Sequence, residues 1–214
     1  MGKNIDFIDF SFLDGFNRTD NIRKYTSKNP LVRIAVKRFI SSFLEMIEIC
    51  DSKKLNRVLD AGTGEGILNH LIGKELKHLE MIGIDISMDN LNIAKQIVDG
   101  NLINGTLYNL PFKENSFDLT ISMEVLEHLE KPEIAIQNIK QVTKKFAILS
   151  VPNDSFFRMA NILRGKNISG FGNGPGHIQH YNEGSFIDLI KKDFEILMVK
   201  KPAQLWIMCL VVKR

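Results

Sequence analysis

The chain is short of everything that would mark a specialised environment. Only two of its 214 residues are cysteine, Cys50 and Cys209, and they fit neither a zinc-ligand spacing nor a disulfide framework, so two reduced thiols in a cytoplasmic protein are expected. No apolar run has the length of a membrane span, and Asp6 and Asp9 interrupt the first apolar stretch, so neither a span nor a signal peptide is expected. Internal repeats and low-complexity tracts are missing. The net charge of +3 is too small to imply nucleic acid by itself. A phosphate loop is also missing, because no Gly-Lys is followed by Ser or Thr. The third glycine of a dinucleotide fingerprint would fall on Ile67. What is present is ordinary: 44% hydrophobic and 25% charged residues in a length that suits one soluble domain with a large core.

The distinctive stretch is Val58-Leu59-Asp60-Ala61-Gly62-Thr63-Gly64-Glu65-Gly66. Leu55, Val58 and Leu59 supply a short buried strand, and the glycines let the backbone turn sharply and approach a ligand. Leu68, Leu71 and Ile72 mark one face of a following helix, whose first amides favour a carboxylate or phosphate. A second apolar strand, Met81-Ile82-Gly83-Ile84-Asp85, ends in another acid nineteen positions after Gly66. That interval is one helix, one loop and one strand. Asp60 and Asp85 should therefore reach the same edge of a parallel sheet, where the second acid can accept both hydroxyls of a ribose.

Here the chain resembles the class I S-adenosylmethionine-dependent methyltransferases, whose first motif reads Asp-x-Gly-x-Gly-x-Gly. Further matches follow in Asn109-Leu110-Pro111-Phe112, Ser116-Phe117-Asp118-Leu119, Glu124-Val125-Leu126-Glu127-His128-Leu129 and Ser150-Val151-Pro152-Asn153. Together they resemble the ubiquinone- and menaquinone-biosynthesis group, methyltransferase type 11. The resemblance implies an α/β fold, a Rossmann-like seven-stranded sheet, mostly parallel with one antiparallel strand and helices on both faces. It also implies S-adenosyl-L-methionine as cofactor and S-adenosyl-L-homocysteine as product. The cofactor contacts implied are Tyr25, Asp60, Ala61, Gly62, Thr63, Gly64, Gly66, Asp85, Ile86, Thr106, Leu107, Met123 and Glu124. Thr106 stands where family members often carry an acid that meets the adenine amino group.

The remaining elements follow from local signals. Asn29-Pro30 reads as cap and first position of a helix carrying Val32, Val36, Phe39, Ile40, Phe43 and Ile47 inward. Ser87 should cap a helix with Leu91, Ala94, Ile97 and Val98 inward, and Pro132 should open another with Ala135, Ile139 and Val142. Strands are expected near 102–107, 117–123 and 146–151. The last two, near 194–199 and 205–212, are joined by a short Pro202-Ala203 connection that makes them an antiparallel hairpin. Asn182 should cap a helix bearing Phe186, Leu189 and Ile190. The chain divides into an N-terminal helical lid and first helix, 1–50, packed on a methyltransferase domain, 51–214, within one globular unit.

Seven basic residues between 17 and 38, Arg18, Arg23, Lys24, Lys28, Arg33, Lys37 and Arg38, face one acid, Asp20. Either they are a solvated helix face or some form a lid with Tyr25, whose ring would attract a sulfonium. Residues 152–182 carry Phe156, Phe157, Met159 and Leu163 and then Gly165, Gly170, Gly172, Gly174 and Gly176, as a functional loop does.

Transfer from a sulfonium needs positioning more than side-chain chemistry, and a base only where the nucleophile carries a proton. His128, His177 and His180 are the candidates for base or acceptor contact, whereas His70 and His78 are read as surface residues. No metal is expected, Asp154 beside Asn153 being more simply a turn. The expected function is methyl transfer to an O, N or C nucleophile of a small organic or lipid-precursor substrate. One alternative is a tRNA or RNA methyltransferase, although the Asn-Pro-Pro-Tyr type of motif is absent after the fourth strand. Another is a cofactor-binding regulatory domain without turnover.

Overall fold

The structure is a computed structural model that describes residues 10–16, 19–154 and 177–214. Phe7, Arg18, the apolar residues expected from Phe156 to Leu163 and the glycines from Gly165 to Gly176 lie outside the described residues. Seven strands make one sheet: β1 (Arg57–Ala61), β2 (Glu80–Asp85), β3 (Asn101–Asn104), β4 (Phe117–Met123), β5 (Thr143–Pro152), β6 (Phe194–Lys200) and β7 (Trp206–Lys213). Their order is β3-β2-β1-β4-β5-β7-β6, and β7 runs antiparallel to both β5 and β6. The strand order reverses between β1 and β4, and in such sheets ligands bind beyond the carboxyl ends of the strands at that point.

The helices start where the sequence signals place them, but the one capped by Ser87 ends at Ala94 and leaves Ile97 and Val98 beyond it. Asn29 accepts from the Leu31 amide and Pro30 opens α2 (Pro30–Ile49), which buries Val36, Phe39, Ile40, Phe43 and Ile47 on one stripe. Ser87 caps α4 (Met88–Ala94) and Pro132 starts α5 (Pro132–Val142). Asn182 and Ser185 exchange hydrogen bonds in a capping box at α6 (Glu183–Ile190). One face of the sheet is covered by α1 (Asp20–Tyr25), α2 and α3 (Ile67–Glu75), whose apolar residues join Val58, Leu119, Ile121 and Ile148 in one cluster. The other face packs Ala135, Ile139, Phe186 and Ile190 of α5 and α6 on Leu59, Ala147, Leu149 and Val211.

Two strands differ from their expected extents. β3 stops at Asn104, short of Leu107, because the Asn104 amide side chain donates to the Asp85 and Ile86 carbonyls and Gly105 N–H donates to Asp85 O, which turns the chain out of the sheet. β5 begins three residues before Phe146, since Thr143 joins α5 to the strand directly through a 2.6 Å bond from its hydroxyl to Ile139 O.

Candidate active site

The site grows from the end of β1. The Gly62 and Thr63 amides both donate to Ile84 O of β2, at 2.8 and 3.0 Å, so the turn is pinned to the neighbouring strand. Gly62, Gly64 and Gly66 all have positive φ, +85°, +54° and +76°. They are not interchangeable. A Cβ at Gly62 would stand 2.4 Å from Val125 Cγ2 and one at Gly66 2.5 Å from Val98 Cγ2, whereas one at Gly64 would meet nothing within 4 Å. Gly62 and Gly66 permit packing; Gly64 presents bare backbone to a cavity of about 880 Å³.

Asp60 and Asp85 both line this cavity, as their shared sheet edge requires. The Asp85 carboxylate accepts from the Gly64 and Ser87 amides, each at 2.8 Å, so it ties the glycine turn to the start of α4. Asp60 accepts a 2.6 Å bond from the Thr63 hydroxyl. Burial pushes its carboxyl up to about 7; the Thr63 bond works the other way, and the Asp85 charge adds to the rise.

The opposite wall is built by α1. Thr19 Oγ1 donates to Glu65 Oε1 at 2.5 Å and Asn21 Nδ2 to Glu65 Oε2 at 2.7 Å, which fastens α1 to the glycine turn. Five residues further on, Lys24 forms an ion pair with Glu124, at the end of β4. Glu124 has a left-handed backbone, φ +57°, and also accepts from the Trp206 indole N–H. The Lys24 ammonium lies 5.1 Å from the Tyr25 ring centroid and 5.8 Å from those of Phe39 and Trp206. Burial opposes the charge on Lys24, but the Glu124 carboxylate outweighs it and the ammonium is held more firmly than usual. The same pairing outweighs burial at Glu124 and holds it below the usual carboxylate range. Burial pushes the Tyr25 hydroxyl up to about 12, with Lys24 working against the rise.

Beyond β4 the turn Leu126–His128 is strapped by the chain that re-enters at His177: the Ile178 and Gln179 amides both donate to Glu127 O at 2.9 Å. This brings the His128 and His177 rings edge to face at 5.1 Å. Burial, then His128, lowers the His177 pKa. Glu127 is 2% exposed, and neither of its carboxyl oxygens has a hydrogen-bond partner among the described residues. Burial and then the Glu124 charge hold this carboxyl well above its ordinary range. Ligand-type atoms of Glu127, His128 and His177 lie within 4.8 Å of one another, near enough to hold a cation between them.

Of the residues expected at the cofactor, Tyr25, Asp60, Gly62, Thr63, Gly64, Asp85, Ile86, Met123 and Glu124 line the cavity, as do His128 and His177. Five expected residues stand away from its wall. Ala61 is packed into the core at the end of β1, and Gly66 faces α4. Thr106 accepts from the Tyr108 amide at 3.2 Å, while Leu107 is buried with its carbonyl bonded to Asn138. His180 pairs with Asp154 at 2.9 Å, so Asp154 is taken up by a histidine and by the Tyr181 amide. His70 and His78 lie off the cavity and bond the Ile97 and Ser52 carbonyls. The sequence reading missed Lys24 as an individual, Asn21, Glu65 and Tyr108. Only the basic run around Lys24 gave any signal.

Residues 59–151 match a family model described as a methyltransferase domain. An uncharacterized methyltransferase of Schizosaccharomyces pombe is 34% identical over 104 residues, covering 43% of this chain and 37% of that protein. A demethylmenaquinone methyltransferase of Thermotoga maritima is 39% identical over 74 residues, 34% of this chain and 32% of that protein. The matched stretch thus spans about a third of the length of these relatives. The crystal structure of the PH0226 protein from Pyrococcus horikoshii OT3 shares the fold, with a TM-score of 0.65 at 16% identity over 92% of this chain and 100% of that one. The matched domain runs from β1 to β5 and takes in the three strand ends, β1, β2 and β4, that border the cavity. On that footing residues 59–151 are similar to a methyltransferase domain.

Proposed function

We propose that the protein moves the methyl group of S-adenosylmethionine to a nucleophilic atom of a small organic acceptor. The observation that carries this reading is the bare backbone of Gly64 facing the same cavity as the Asp60 and Asp85 carboxyls. The cavity volume suits a ligand of this size, and a turn without a phosphate loop suits a cofactor without phosphates. Asp85 would hold the ribose hydroxyls, and the bare backbone of the turn at Gly62 to Gly64 would lie along the amino-acid part. Tyr25 would stand near the sulfonium end. When bound, the cofactor supplies a methyl group already activated by positive sulfur. The chain's task is then to hold the acceptor in line and keep water out.

The test is a thermal melt with S-adenosylhomocysteine. The ligand is expected to raise Tm, by about 2.7 kcal/mol of added stability at a hundredfold excess over Kd, and Asp85→Ala to remove most of the shift. An unshifted melt at saturating ligand sinks the reading. Transfer to RNA draws some support from a relative named 18S rRNA (guanine(1575)-N(7))-methyltransferase of Saccharomyces cerevisiae, 23% identical over 133 residues. The acidic lining of the cavity argues against it.

A further inference from the structure

Six carboxyl side chains line the cavity, Asp60, Glu65, Asp85, Glu124, Glu127 and Glu130, against one ammonium, Lys24, among the described residues. The whole chain carries +3, so this acidity is local to the site. Lys24 is already spent on Glu124. Glu65, Asp85 and Asp60 are likewise engaged, by Thr19 and Asn21, by the Gly64 and Ser87 amides, and by Thr63. Glu130 is exposed to solvent. Glu127 differs from all of these: it is buried and no other described residue donates to its carboxyl. A buried carboxyl without a donor is costly, and its natural complement is a donor brought by a ligand.

We infer that the methyl acceptor is an amine and that Glu127 is the group that receives its N–H. This rests on the methyl-transfer reading above and narrows it. Phosphate- and carboxylate-bearing acceptors would enter a cavity of their own charge, whereas an ammonium would be drawn in. Once there it must lose a proton to become nucleophilic. The N–H proton passes to Glu127, its electron pair stays on nitrogen, and the carbon–nitrogen bond forms as the carbon–sulfur pair is left on sulfur. The product is an N-methylammonium that carries the charge formerly on sulfur. The strap from Ile178 and Gln179 to Glu127 O fixes the turn in which this carboxyl sits, and the His128 and His177 rings beside it give the proton a way out.

Thermal melts with S-adenosylhomocysteine present, titrated with phenethylamine and spermidine, test the inference against 3-phenylpropionate, a short RNA hairpin and zinc ion. At least one amine is expected to raise Tm beyond the cofactor product alone. Glu127→Gln should weaken that amine at least tenfold while keeping the full shift from S-adenosylhomocysteine, which also shows that the variant is folded. Glu127→Asp should keep part of the amine effect. A shift from S-adenosylhomocysteine with none from either amine overturns the amine assignment and leaves methyl transfer standing. An equal rise with 3-phenylpropionate or the hairpin overturns it too. If zinc alone raises Tm and Glu127→Gln abolishes that rise, the carboxyl belongs to a cation site and the inference fails.

Discussion

Lys24 and Glu124 are a hundred positions apart in sequence, and their contact exists only because α1 folds across the carboxyl end of β4. With side chains about a quarter exposed or less, the pair is buried enough that removing one partner strands the other. Lys24→Met should cost about 2–3 kcal/mol by urea unfolding, at the low end of a broken buried pair because some solvent remains. Adding Glu124→Gln should recover part of that loss, because the glutamine oxygen can still accept from Trp206 without an unpaired charge. A double variant no more stable than Lys24→Met would mean that the pair is not coupled. The sequence displayed seven basic residues in this region and gave no reason to choose among them. Tyr25 drew attention through its ring chemistry. Its neighbour's role depends on a partner that no local pattern could indicate. The carboxyls at 60 and 85 were legible because strand ends in a parallel sheet share an edge, whereas the contrast between Glu124 and Glu127 required knowing what faces each one.

At the level of elements, the strand positions and the caps of α2, α4, α5 and α6 were written in the sequence as apolar runs, prolines and capping residues. The end of β3 was not, because a side chain from Asn104 closes it by reaching the preceding strand's carbonyls. α1 is only six residues long, too short to be stable alone, and its place depends on Thr19. That hydroxyl accepts from the Ile22 amide at 3.1 Å as a helix cap and donates to Glu65 at 2.5 Å. Thr19→Val removes both bonds in an isosteric side chain. Hydrogen exchange at the α1 amides should then quicken by roughly fivefold or more, equivalent to about 1 kcal/mol, while β1 and β4 amides keep their rates. Thr19→Ser, which retains the hydroxyl, should restore protection. Equal loosening in the strands would show that α1 does not open as a separate unit.

Across the whole molecule, the buried acids set an unusual pH dependence. Asp60 is held at about 7 and Glu127 well above its ordinary value, so between pH 4 and those values the folded state keeps protons that the unfolded chain has released. Their contribution to stability is present at low pH and lost as pH rises through the folded values. Glu124 behaves oppositely, but its contribution is complete once pH exceeds the ordinary glutamate range. His177, lowered by burial, adds stability only up to its unfolded value near 6.5. Asp60 faces Asp85, Thr63 and Tyr25; Glu127 faces Glu124, Lys24, Asp154, His128, His177 and Tyr181. Of these, Asp60 still holds excess protons above pH 6.5. Ligand-free protein should therefore lose stability from pH 6.5 to 8 through Asp60, with a slope of at most about 1.4 kcal/mol per pH unit. Melts in that interval should fall for the wild type and flatten in Asp60→Asn, whose amide oxygen still accepts from Thr63 and carries no charge to bury. A wild-type Tm that climbs through the interval would mean that the Asp60 carboxyl is not held protonated, and that the cavity floor is far wetter than its packing implies.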